Sequence, residues 1–121
     1  MKRDLDLIRE ILLAVEVEPP GSPLRGGDFG EQDVATVAAH VELLIEAGYV
    51  DGLVTTDGRG DYVKWRVLRL TMDGHDFLDA IRDPVVYRET KSKLAKVGGA
   101  TALEAVKAVA QGVVNSMLGL S

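Results

Sequence analysis

The chain contains no cysteine, and that one absence removes disulfide scaffolds, Cys-ligated zinc or iron–sulfur centres and thiol nucleophiles together. A reducing compartment fits such a composition. Histidine occurs only as His40 and His75. His75-Asp76 spells the dyad of metal-dependent phosphohydrolases, but the further His and Asp ligands of such a site are missing, so the pair reads as part of the first turn of a helix. Aromatic residues make up 5% of the chain, too few to furnish a stacking platform for single-stranded nucleic acid. The N-terminus becomes amphipathic at once, with Asp6, Arg9 and Glu10 interspersed, and so lacks the apolar core of a signal peptide. The most apolar later stretch, Ala102 to Leu118, is interrupted by Glu104, Lys107, Gln111 and Asn115 and falls short of the roughly 20 residues needed to cross a bilayer. The glycine-rich segment from Gly26 to Gly30 has no Lys-Ser/Thr and is not a P-loop. The expectation is a cytoplasmic, non-enzymatic protein without cofactor, metal or membrane contact.

What is present describes an ordinary folded domain: 121 residues, 46% hydrophobic and 27% charged, which is enough to close one core. The net charge of −5 is unevenly spread. Residues 1–57 carry four Lys/Arg against twelve Asp/Glu, and residues 58–121 carry ten against seven. Any surface for an anion must therefore lie in the second half.

Periodicity gives the elements. Asp4 is placed to cap a helix with Leu5, Ile8, Leu12 and Val15 on one face, ending before Pro19-Pro20. Pro19 to Gly30 holds three Pro and four Gly and reads as a loop with a short extended piece around Leu24 or Phe29. From Glu31 a second helix shows Val34, Val37, Val41 and Leu44 on one face and stops at Gly48. Tyr49 to Thr56, the turn Asp57-Gly58-Arg59-Gly60-Asp61 and Tyr62 to Leu70 make a β-hairpin. In its second strand Val63, Trp65 and Val67 alternate with Lys64, Arg66 and Leu68. The Arg-Gly-Asp tripeptide at its tip is simply that turn. Thr71 opens a third helix in which Gly74 permits close approach, Asp83-Pro84 opens a fourth, and Thr101-Ala102-Leu103-Glu104 has the spacing of a capping box for a fifth.

Thr36-Val37-Ala38-Ala39-His40-Val41-Glu42-Leu43-Leu44-Ile45-Glu46-Ala47-Gly48-Tyr49-Val50 resembles the recognition helix and following strand of winged-helix regulators. Leu70-Thr71-Met72-Asp73-Gly74-His75-Asp76-Phe77-Leu78 resembles the helix that follows their wing. Over nearly the whole length, the runs Met1 to Arg9, His40 to Gly48 and Gly74 to Arg82 are similar to domain-of-unknown-function family 2513, short bacterial and phage-associated proteins. The resemblance implies shared architecture and a mobile-element context but carries no activity. The chain departs from the winged helix where the helix before the recognition helix should be, because a Pro/Gly-rich loop stands there.

The fold expected is α+β and mostly helical: a winged-helix-like core of helix, loop, helix, β-hairpin wing and helix over residues 1–83, with a C-terminal helical extension over 84–121. The function expected is that of a DNA-binding transcription regulator or accessory protein of a bacterial or phage element. The alternative is a protein-interaction module of the same fold, such as a phage-encoded inhibitor or accessory factor acting on a host protein. Arg59, Lys64, Arg66 and Arg69 on the hairpin, with Thr36 and His40 on the exposed face of the second helix, are the candidate contacts to duplex DNA. The second helix otherwise offers Glu42 and Glu46 where base readers carry Arg, Lys, Asn or Gln. The fifth helix is apolar around most of its circumference and must be covered by its own domain or by a second subunit. For a homodimer the interface expected is Leu103, Val106, Val109, Val113 and Met117.

Overall fold

A computed structural model describes residues 1–26, 29–99 and 102–120, with Val63 described by its backbone alone. The elements run α1 (Leu5–Val17), α2 (Val34–Glu46), β1 (Val50–Thr56), β2 (Tyr62–Leu70), α3 (Met72–Ile81), α4 (Pro84–Ala95) and α5 (Leu103–Met117). The protein is an α+β chain with a helix–hairpin–helix, winged-helix-like layout. It divides into two compact units, Met1–His75 and Asp76–Ser121, so that α3 begins in the first and ends in the second.

In the first unit, local chemistry sets the helix ends. The Asp4 carboxylate accepts the Leu7 N–H at 3.2 Å and starts α1, whose buried face is Leu5, Ile8, Ile11, Leu12 and Val15 with Leu7. The sequence pattern placed the start of α2 at Glu31. The helix instead begins at Val34, because Asp33 takes the N-cap and accepts the Thr36 N–H at 2.7 Å. As a consequence Val34, assigned to the core face by periodicity, sits in the first turn and is 64% exposed, while Val37, Ala38, Val41 and Leu44 are buried. At the other end Gly48, at φ +77°, gives its N–H to Ile45 O and lets Tyr49 N–H reach Leu44 O, both at 3.0 Å. That is the Schellman closure expected of a left-handed residue just past a helix.

β1 and β2 pair antiparallel, from Val50 opposite Leu70 to Thr56 opposite Tyr62. Asp51 faces Arg69 and Gly52 faces Val67, so Leu68 is an extra residue on β2. The bulge shifts the alternation by one: Trp65 and Val67 are buried, Leu68 and Arg69 are exposed, and Leu70 returns to the core. The extended piece anticipated around Leu24 is a single antiparallel bridge to Val67, closed by Leu24 N–H to Val67 O at 2.9 Å and Val67 N–H to Leu24 O at 2.8 Å. α1 and α2 pack on the hairpin and on each other. Thr71 ties the start of α3 to the end of α2, its hydroxyl donating to Gly48 O at 2.5 Å and accepting Gly74 N–H at 3.1 Å. Gly74 is required by this closeness, since a Cβ there would collide with the Tyr49 carbonyl.

In the second unit, Asp83 caps α4 through Val85 N–H at 2.8 Å and Val86 N–H at 3.1 Å, with Pro84 in the first turn. α4 and α5 pack on each other. Thr90, fully buried in α4, satisfies its hydroxyl internally on Val86 O at 2.7 Å. The Thr101 capping box lies outside the described residues. α5 is described from Leu103, with Ala102 at the N-cap position and no side-chain cap bond there. Val106, Ala110 and Val113 are buried within the chain itself. This corrects the assignment of Val106 and Val113 to an intersubunit surface: the apolar row finds its cover in cis. Leu103 and Val109 are half-buried and Met117 is exposed.

Candidate nucleic-acid interface

The tip of the hairpin is shaped by one carboxylate. Asp57 accepts the N–H groups of Arg59 at 2.8 Å and Asp61 at 2.9 Å, which projects Arg59 from an exposed turn. Along β2, Lys64 and Arg66 share the outward face and pair with Thr55 and Leu53 of β1. The Leu24–Val67 bridge draws a further cation into place: Arg25 lines one groove with Leu53, Thr55, Lys64, Trp65 and Arg66. From Arg25, Lys64 and Trp65 the surface continues past Gln32 to Val34 and Val37 at the start of α2. Trp65 is only 7% exposed and lies tilted against Phe29, ring centroids 6.3 Å apart, so it forms floor for the groove and offers no stacking face.

Among the described residues, no carboxylate forms an ion pair with Arg25, Arg59, Lys64 or Arg66. Arg69 differs. Its guanidinium is 2.7 Å from Asp51 across the strands and also donates to Leu70 O at 3.3 Å. It is therefore already engaged, although a pair this exposed contributes at most about 1 kcal/mol. Arg25 corrects the expectation that a surface for an anion lies in the second half of the chain, because a backbone pairing between the Leu24 loop and the distant β2 places it in this groove.

The α2 candidates fare differently. His40 is fully buried, which corrects its placement on the exposed face. Its Nε2 accepts the Asp4 N–H at 2.9 Å and its Nδ1 lies 2.8 Å from Thr36 O, so the ring is the Nδ1–H tautomer and joins the start of α1 to α2. Thr36 is half-buried beside the cap. The Asp33 carboxyl is held below the usual carboxylate range by hydrogen bonds from the Thr36 side chain and backbone. Farther along, Tyr62 O–H donates to Glu42 at 3.2 Å. Desolvation first, then Glu42 and the charge of Glu46, push the Tyr62 phenol above its ordinary value. α2 thus presents negative charge, and the hairpin positive. His75 is exposed, and no group of three His, Asp or Glu side chains among the described residues is arranged to hold a metal ion.

Comparison with known proteins then gives the family. The model of the family described as "Hypothetical protein (DUF2513)" matches residues 2–101. This chain belongs to that family. The DUF2513 chain is also 36% identical over 125 residues to an uncharacterised protein of Haemophilus influenzae (strain Rd), an alignment covering 98% of this chain and 99% of the relative. No solved structure matches it. No helix among the described residues is long and apolar enough to cross a membrane.

Proposed function

We propose that this DUF2513 protein is a non-enzymatic, cytoplasmic binder of duplex DNA, a regulator or accessory factor of a bacterial or phage element that grips the phosphate backbone through its wing. The observation that carries this reading is the groove lined by Arg25, Lys64 and Arg66, three cations without a described ion pair, with Arg59 at the hairpin tip. Closely spaced like charges repel one another, and an anion with regularly spaced charges relieves that repulsion. The test is fluorescence anisotropy with a labelled duplex of about two helical turns across a salt series. Binding is expected at low salt, with a slope of log affinity on log salt that shrinks by about 0.9 for each contact removed. Arg25→Glu with Arg66→Glu should abolish binding, and Arg69→Gln should weaken it little. Absence of binding to duplex at low salt overturns the reading.

A second reading, a module that contacts a host or phage protein, is supported by a different feature. Val15, Pro20, Leu68 and Met72 line a groove on the first unit beside the charged Glu18 and Arg69, and Met72 is 75% and Leu68 47% exposed. An interface built on the apolar part of this groove would be much less sensitive to salt than contacts at the wing, and would be lost in Met72→Asp.

A further inference from the structure

We infer that the protein binds duplex DNA without reading its sequence, because α2 is chemically closed to base edges and phosphate contacts at the wing carry the whole interaction. This rests on the DNA reading above and deepens it. A helix that reads the major groove presents Arg, Lys, Asn or Gln from its first turns, and each bidentate pair contributes discrimination between bases. The positions open to solvent at the start of α2 are Val34 and Ala35, and Thr36 and Ala39 are half-buried. None of these is one of those readers.

Of the three polar side chains nearest to that role, Thr36 and His40 are engaged within the fold, and Gln32, exposed just before the helix, has one amide N–H in a surface hydrogen bond. Gln32 gives its amide N–H to Asp4 Oδ2 at 3.2 Å. The Thr36 side chain is hydrogen-bonded to Asp33. His40 is buried with both ring nitrogens engaged. Electrostatics act in the same direction. The positive end of the α2 dipole, where a phosphate would otherwise be welcome, is occupied by the ionised Asp33 cap, with Glu31 exposed beside it. Glu42 and Glu46 continue the negative charge along the helix. Contacts to phosphate position a protein on a duplex and carry no sequence information directly, and those are the contacts that Arg25, Arg59, Lys64 and Arg66 provide.

The experiment uses the full chain in two measurements. Rounds of selection from a random duplex library are expected to return no converged motif. Anisotropy on an A·T-rich and a G·C-rich duplex of equal length is expected to give affinities within about threefold of each other. Asp33→Asn with Glu31→Gln, which keeps a capping side chain while removing two charges, is expected to tighten binding several-fold on both duplexes alike. A converged motif, or discrimination beyond about tenfold of the kind a single base contact supplies, overturns the inference while leaving the DNA reading in place. Failure of every duplex to bind at low salt overturns the DNA reading itself, and this inference with it.

Discussion

His40 shows how a single polar side chain can be misassigned by its position on a helical wheel. It is fully buried, accepts the backbone N–H of Asp4 and donates to Thr36 O. Removing the ring takes the acceptor from the part-buried Asp4 N–H and opens a cavity, losses that reach about 2–4 kcal/mol in combination, while Thr36 O keeps the backbone bond of its own helix. His40→Ala is therefore expected to lower the denaturant midpoint substantially, while the folded fraction binds duplex as the unmutated protein does. Unchanged stability would show that the ring is not the tie between α1 and α2. Sequence pattern did not reveal this role because the partner is a backbone group at the far end of another helix, and no composition rule marks an N–H that needs an acceptor. The same holds for Arg25, whose neighbours on the surface, Lys64 and Arg66, are set by the Leu24–Val67 bridge. The residues that were legible, Lys64, Arg66 and Arg59, owe that to the alternation of one strand and to a turn of five residues.

Elements were legible where their signals are local. Asp4 and Asp83 cap the helices that follow them and Gly48 closes α2, as their places in the sequence lead one to expect. The misplaced start of α2 came from extending periodicity past a capping carboxylate, which outranks it because an unsatisfied first-turn N–H costs more than one exposed valine. Two glycines make the packing of the elements testable. At Gly74 a Cβ would collide with the Tyr49 carbonyl, a backbone group that also accepts the Thr71 N–H at 3.0 Å and so cannot easily move. At Gly112, exposed within α5, a Cβ would meet nothing within 4 Å. Gly74→Ala should destabilise by about 1–3 kcal/mol through overpacking. Gly112→Ala should stabilise by about 0.5–1 kcal/mol, because alanine loses less backbone freedom in a helix. Denaturant unfolding of both variants checks the pair, and equal effects would mean that the approach of α3 to the end of α2 is looser than described.

At the scale of the whole molecule, the burial of α5 decides which of its residues can take part in pairing. Val106, Ala110 and Val113 are covered within the chain, so they cannot also meet a partner. Met117 continues their row by helical spacing yet is 59% exposed, and Leu118 and Leu120 beyond it are 66% and 67% exposed. In a two-fold dimer each copy contributes the same surface, so three side chains become six. Burying each is worth about 1.5–3 kcal/mol, which in total is of the order of the association cost of about 4–15 kcal/mol. A homodimer of the kind expected from the sequence would therefore rest on the C-terminal end of α5 and be weak. Light scattering across a dilution series should show a two-chain mass at high micromolar concentration that falls towards one chain on dilution. Met117→Asp with Leu120→Asp should give one chain throughout with helicity unchanged, whereas Val113→Asp should lower stability, since it places a charge at a buried site. A one-chain mass for the unmutated protein at every concentration would remove the dimer. Duplex binding would then rest on a single wing, and the salt slope would report the phosphate contacts of one copy of Arg25, Arg59, Lys64 and Arg66 in place of two.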